Sequence, residues 1–285
     1  MKRPLEILAE EKSMHTMVGL TSAFESLSSM KVVTTKKSVA NSNIFFSDVW
    51  SIYKNIRVAG MFQFGRKPTD KAIDKELYIL ITAPAGLSGD IDQRLIRHMR
   101  KNYDPEKNDI IVIGHHGQMQ LNQLGIKYIN YFNLPKKDPI NIEPLIAIVK
   151  KYKETRVFYQ TYISMMTQEV KSLRLSEVIA TKGAIADEDS ELITEATYIF
   201  EPNALVVIAH MEISMMRLAL LQMIYDSRLA QHASRFKAMT SAKKRATEEV
   251  QRLHTSYNRA KRGIVDTRLK EINAGLKKVR AANHE

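Results

Sequence analysis

Two adjacent histidines, His115 and His116, are the residues in this 285-residue chain whose type most readily suggests metal binding or proton transfer. They follow Ile110-Ile111-Val112-Ile113, a run that reads as a strand. Neighbours on an extended segment point to opposite faces, so a pair at a loop edge is expected in place of a joint metal site. His210 and Glu212 stand two residues apart, whereas a helical ligand pair needs i and i+4. Gly86-x-x-Gly89 closes another β-prone run and could cradle a phosphate on the next helix N-terminus. It lacks the full G-x-G-x-x-G, and Asp90 would repel a phosphate, so a plain tight turn is expected. No G-x-x-x-x-G-K-[ST] run occurs, so the chain is not by itself a P-loop NTPase. With no cysteine, disulfides, thiolate metal sites and cysteine nucleophiles are excluded, and a reducing compartment fits. Met165-Met166 and Met215-Met216 read as packing residues. No catalytic residue, metal ligand or cofactor site is expected.

The elements that would position any chemistry form two helical ends around an alternating middle. From Pro4 to about Arg57, Leu20, Phe24 and Leu27, and then Phe45, Val49, Ile52 and Ile56, recur at helical spacing. Only Gly19 interrupts the first fifty residues, so one helix of roughly 50 residues is predicted, far longer than a typical globular helix. In the middle, Leu77 to Thr82 reads as a strand buried on both faces, followed by a helix bearing Ile91, Leu95, Ile96 and Met99. Ile110 to Ile113, Lys127 to Phe132 and Arg156 to Ile163 read as further strands, and Gln118 to Leu124 and Asn141 to Tyr152 as helices. Glu195 to Phe200 is a further strand candidate, and Lys182 to Glu191 reads as a loop. Strands alternating with helices predict βαβ units around a mostly parallel sheet.

From Ala204 to Arg262 there is neither glycine nor proline. Ala246, Val250, Leu253, Tyr257, Ala260 and Ile264 form an a/d seam, continued through Leu269, Ile272, Leu276 and Val279. About 75 residues at 1.5 Å each make a rod of roughly 110 Å, which needs a partner helix. The N-terminal helix is the available one. The expected fold class is therefore α/β: a long antiparallel two-helix coiled coil formed by both chain ends, with an inserted α/β domain having a mostly parallel sheet. The expected division is 1–60 for the first coil helix, 61–203 for the α/β domain and 204–285 for the second coil helix.

Charge is concentrated at the end. Ala204 to Glu285 holds 16 Lys and Arg against 7 Asp and Glu, a net of +9 out of the chain's +12. Such a block suggests a polyanion, a membrane surface, an acidic partner or a solvated helix face. The N-terminus carries Glu6, Glu10 and Glu11 among its apolar residues and does not read as a signal peptide. The longest apolar stretch, Ala204 to Tyr225, carries His210, Glu212 and Arg217, which disfavours a membrane helix. A soluble protein is the expectation.

Four segments resemble the gamma subunit of F-type ATP synthases, the central rotor shaft. Tyr257-Asn258-Arg259-Ala260 with Glu271-Ile272 resembles the family's C-terminal signature, and His232-Ala233-Ser234-Arg235-Phe236-Lys237-Ala238-Met239 its upstream segment. Gly86-Leu87-Ser88-Gly89 is similar to its glycine-leucine-cysteine-glycine turn, and Leu20-Thr21-Ser22-Ala23 to its N-terminal segment. The resemblance implies a non-catalytic shaft inside a hexamer of alternating alpha and beta subunits, with the globular domain on the epsilon subunit and the c-subunit ring. It implies no cofactor and no nucleic acid, and a peripheral place at the cytoplasmic face of a membrane, a bacterial cell membrane above all. The implied partner-binding positions are Tyr257, Arg259, Lys261, Arg262, Asp266 and Glu271 on the last helix, with Glu25, Gly86 and Ser88. Lys261, Arg262 and Asp266 replace the family's arginine, glutamine and threonine, Glu25 replaces a lysine and Ala85 an arginine, so this is a divergent member.

Two other classes stay open on residues alone. The basic end could be a nucleic-acid-binding coil, although it offers only Tyr225, Phe236 and Tyr257 for stacking and Tyr257 lies on the seam. An α/β enzyme with a helical extension would need converging ionisable groups at strand ends, where only His115 and His116 stand. A gamma-like shaft diverted to another motor task is the third alternative.

Overall fold

A computed structural model describes residues 3–55, 73–133, 135, 140–177, 201 and 204–282. The strand candidate Glu195 to Phe200 and the loop Lys182 to Glu191 lie outside the described residues. The elements run α1 (Pro4–Asn55), β1 (Ile73–Ile81), α2 (Ile91–Arg100), β2 (Asn108–Ile113), α3 (His115–Gln123), β3 (Asn130–Phe132), α4 (Glu143–Val149), β4 (Tyr152–Tyr162), β5 (Gln168–Arg174) and α5 (Ala204–Ala282). Among the described residues no helix is long and apolar enough to cross a membrane. The chain forms two compact units: one from Met1–Leu27 with Ala238–Glu285, the other from Ser28–Lys237.

The larger unit is built on a five-stranded sheet in the order β3-β2-β1-β4-β5. β1 lies at its centre, parallel to β2 and β4, and β3 is parallel to β2. β5 returns antiparallel to β4, pairing Tyr162 with Gln168 and Arg156 with Arg174. The helix at Gln118–Leu124 begins earlier than expected, at His115, and β5 was not foreseen.

Alternate residues of the central strands face opposite layers, as the pleat requires. Leu77, Ile79, Ile81, Ile111, Ile113 and Val157 pack against α4, against Met215–Ile224 of α5 and against Phe46 of α1. Tyr78, Leu80, Ile110, Val112 and Phe158 pack under Leu95, Ile96 and Met99 of α2 and Leu121 of α3. Each fully buried Leu or Ile contributes about 1.5–3 kcal/mol relative to exposure, so these two layers dominate the unit's stability. The expected stripe at Phe45 is displaced by one position: Phe46 is 5% exposed, whereas Phe45 is 56% exposed.

At the C-terminal end of β1, Thr82 joins the two central strands. Its hydroxyl donates to the carbonyls of Ile113 and Gly114 and accepts from the Gly117 amide. The approach leaves no room for side chains at the two glycines. A Cβ on Gly114, whose φ is +101°, would lie 2.2 Å from the Thr82 carbonyl oxygen, and one on Gly117 2.3 Å from Thr82 Oγ1.

In the smaller unit α1 and α5 pair antiparallel. Glu25 meets Thr240 and Lys243, and fourteen residues nearer the N-terminus Glu11 meets His254. On α5 Ala246, Val250, Leu253, Tyr257 and Ala260 are half-buried as expected, but the expected continuation of the seam is corrected: Ile264, Leu269, Ile272 and Leu276 are exposed, because α1 does not reach that far along α5. On α1 the expectation is corrected. Leu20, Phe24 and Leu27 are 51%, 40% and 53% exposed, and the inward positions are Ile7, Glu11, Met14, Val18, Thr21 and Glu25. Those positions also step by four and three, so the heptad is real but half polar, and its polar members are satisfied by hydrogen bonds.

Candidate functional site

The last turns of α5 carry most of the sequence-derived site. Extrapolating the Glu25–Lys243 and Glu11–His254 pairs places the first residue of α1 opposite about residue 261 of α5. Beyond that point α5 has no neighbour in its own unit among the described residues. Every residue from 261 to 277 is exposed. Arg259, Lys261, Arg262, Asp266 and Glu271 all lie in the open, and among the described residues none of them makes an ion pair. Tyr257 is half-buried on the seam. Between the charges stand Ile264, Leu269, Ile272 and Leu276, each between 53% and 56% exposed. A helix in water gains little from such residues unless something packs on them. The arrangement offers an apolar stripe flanked by cations and no reactive group.

Glu25 is engaged within the coil. Lys243 Nζ donates to it at 2.8 Å and Thr240 Oγ1 at 2.7 Å, and these bonds hold its carboxyl below the usual range. Because the folded value is depressed, the pair stabilises the coil fully above the ordinary glutamate pKa of about 4.3 and loses that contribution as pH falls through the folded value. Glu25→Gln is expected to remove about 0.5–1 kcal/mol near neutral pH. It should also flatten the acid limb of a melting temperature against pH series; an unchanged acid limb would mean that the pair contributes nothing.

Gly86 and Ser88 belong to the larger unit. The turn between β1 and α2 is held from α5: Ser234 Oγ donates to the Ser88 carbonyl at 2.7 Å. Arg235 Nη2 donates to the carbonyls of Ala85 and Gly86 and to Ser88 Oγ. Ser88 is therefore 1% exposed, its polar atoms turned inward. Asp90 pairs with Arg94 at 3.3 Å and makes no side-chain cap.

His115 and His116 sit on the first turn of α3, not on an extended segment, and they still diverge. His115 reaches Gln118, while His116 Nδ1 donates to Asp92 Oδ2 at 2.7 Å. Asp92 is completely buried and also accepts from the Ala83 amide and from Gln160 Nε2. Gln160 Oε1 in turn accepts from Ser227 Oγ and from Gln231 Nε2 of α5. Sequence reasoning missed this chain of polar groups. Its signal was Ser227, Gln231 and Ser234 repeating at helical spacing on a face otherwise apolar. Bonding to Asp92 raises the His116 pKa against the opposing effect of burial. The group joins α2, α3, β4 and α5. Among the described residues no three His, Asp or Glu side chains come together as a metal site.

Comparison with known proteins agrees with this architecture. The family model described as ATP synthase matches residues 6–279. The chain is 24% identical to the ATP synthase gamma chain of Clostridium novyi (strain NT) over 276 residues, covering 93% of this chain and 94% of that one. A chain of the cryo-EM structure of the Euglena gracilis mitochondrial ATP synthase, OSCP/F1/c-ring in rotational state 3, has the same fold. Its TM-score is 0.67 at 15% identity, over 98% of this chain and 96% of that chain. A chain of the Euglena gracilis rotor in rotational state 1 gives 0.56 at 14% identity, over 90% and 99%. With a family match from the start of α1 nearly to the end of α5, the chain belongs to the ATP synthase gamma-chain family.

Proposed function

We propose that this chain is the central shaft of an F-type rotary ATPase, a non-catalytic subunit. Its rotation would bias the nucleotide sites of a surrounding alpha/beta hexamer, for ATP synthesis or hydrolysis coupled to proton transport. The observation that carries the reading is the end of α5, which runs on past its partner helix with Ile264, Leu269, Ile272 and Leu276 uncovered. A sleeve of partner subunits supplies the missing apolar contacts. Lys261, Arg262 and Asp266 are placed to meet charged or polar loops of a beta subunit, and Tyr257, Arg259 and Glu271 to meet the same ring. A shaft with different groups on its different sides contacts each ring subunit differently, and that difference in contact free energy is what shifts their conformations. Residues 61–203 serve as the foot, facing the epsilon subunit and the c-subunit ring at the cytoplasmic face of a bacterial membrane. The Gly86–Ser88 turn contributes to that foot through its grip on α5.

Purification of the tagged chain from its native membranes tests this. Alpha- and beta-type subunits in threefold excess over the chain, with ATP hydrolysis, are the expected result. Recovery of the chain alone or with nucleic acid would overturn it. Leu269→Asp with Leu276→Asp should leave the melting temperature of the isolated chain within about 2 °C, since surface changes are worth about 0.5 kcal/mol or less. The same pair should lower recovery of the ring subunits several-fold.

A further inference from the structure

A cavity of about 300 Å³ opens in the larger unit at the C-terminal ends of β1 and β2. Its floor is apolar, with Ile81 and Ile113. Its walls bring together Lys31 from α1 and Arg228 and Arg235 from α5, with His232 among them. Strand C-termini are where open α/β sheets receive ligands, and Gly114, leading into the N-terminus of α3, belongs to the same lining.

Among the described residues the lining of the cavity holds no carboxylate. The carboxylate acting on Arg235 is Asp92, whose oxygens are already taken by the Ala83 amide, His116 and Gln160. Arg235 spends a single nitrogen, Nη2, on the carbonyls of Ala85 and Gly86 and on Ser88, leaving Nε and Nη1 outside those bonds. Arg228 donates through Nη2 to the Pro135 carbonyl and lies 6.0 Å from the centroid of the Tyr225 ring, which fixes its direction. His232 Nδ1 is buried without a hydrogen-bond partner among the described residues. Burial, followed by Arg235, Lys31 and Arg228, pushes the His232 pKa down to about 4, so the ring is neutral at physiological pH and records the convergence of charge. Two guanidinium forks and an ammonium around a small apolar-floored space fit a compact oxyanion of more than one charge.

We propose that this cavity binds a short oligophosphate group, clamped by Lys31 of α1 and by Arg228 and Arg235 of α5. A ligand there ties α1, α5 and the ends of the central strands together, so its binding stiffens the larger unit. The inference is independent of the shaft reading, because it is tested on the isolated chain.

The test is calorimetric titration of the whole purified chain with inorganic pyrophosphate and with ADP, both free of divalent metal. NMR titration of the His232 ring with and without ligand accompanies it. Saturable binding of pyrophosphate is expected. Lys31→Gln should weaken it about tenfold, the usual worth of a charge-assisted hydrogen bond. Lys31 is exposed on its helix, so that variant should fold. Lys171→Gln, an exposed charge on β5, should leave binding unchanged. Bound anion should raise the His232 pKa, because it offsets the surrounding cations. Equal affinity for ADP and pyrophosphate assigns the site to a bare oligophosphate, and tighter ADP assigns it to a nucleotide whose nucleoside lies on the apolar floor. No saturable binding of either at millimolar concentration overturns the proposal. So does binding that Lys31→Gln leaves untouched while His232 does not move.

Discussion

Gly114→Ala is expected to destabilise the larger unit by about 3–5 kcal/mol. Two costs combine. The residue sits at φ +101°, where an L side chain is strained, and the new Cβ would lie 2.2 Å from the carbonyl oxygen of Thr82 and 2.7 Å from its carbonyl carbon. Neither atom can step aside, because both are backbone at the junction of the two central strands. Thr82 N itself donates to the Ile113 carbonyl at 2.8 Å. Gly125→Ala separates the two costs. That residue has φ +66° and nothing within 4 Å of an added Cβ, so it carries backbone strain alone, about 1–2 kcal/mol. Thermal melts should place Gly114→Ala roughly 10 °C below the parent chain and Gly125→Ala only a few degrees below. Equal losses in the two variants would mean that the Thr82 contact is not the reason for the glycine.

That junction illustrates what the residues alone do and do not reveal. The strands around β1 and β2 were legible because both faces are covered, which makes Leu77–Ile81 and Ile110–Ile113 continuous apolar runs. β5 was not, because Gln168–Arg174 is an edge strand of mostly polar residues whose partner is fixed by a tight turn. α5 was legible from its missing glycine and proline and from the seam at Ala246 to Ala260. The inward face of α1 was not: it is made of Glu11, Thr21 and Glu25 beside Ile7, Met14 and Val18, while the larger apolar residues Leu20, Phe24 and Leu27 face out. Apolar periodicity locates a seam only when burial is paid for by hydrophobic contact, and here hydrogen bonds to Thr240, Lys243 and His254 take part of that role. Among the site residues, the exposed run from Lys261 onward was not foreseen, because apolar spacing alone carries the seam on through Ile264, Leu269, Ile272 and Leu276 and does not show where the partner helix begins. The grip of Ser234 and Arg235 on the Gly86–Ser88 turn did not, because it joins positions nearly 150 residues apart.

Asp92→Ala is the second large prediction. The carboxylate is the shared acceptor for the Ala83 amide, Gln160 Nε2 and His116 Nδ1, and it has no exposure to water. Removing it leaves the Ala83 amide just past β1, Gln160 of β4 and His116 of α3 without that acceptor, and through Gln160 it loosens the bonds from Ser227 and Gln231 of α5. A loss of about 3–5 kcal/mol is expected, the scale of breaking a buried pair by deleting one member. The pH dependence gives a second readout. The folded His116 pKa is raised, by the hydrogen bond to Asp92 first, so the His116–Asp92 pair contributes stability that is complete below the ordinary histidine pKa of about 6.5. That contribution fades as pH rises through the raised folded value. In Asp92→Ala this slope should vanish, whereas His116→Gln should remove the slope but retain most of the stability, since Asp92 keeps its bonds to Ala83 and Gln160. Denaturant melts of the three proteins between pH 5 and 9 distinguish these outcomes. If His116→Gln proves as costly as Asp92→Ala, the histidine and not the carboxylate is the member that holds α5 to the sheet.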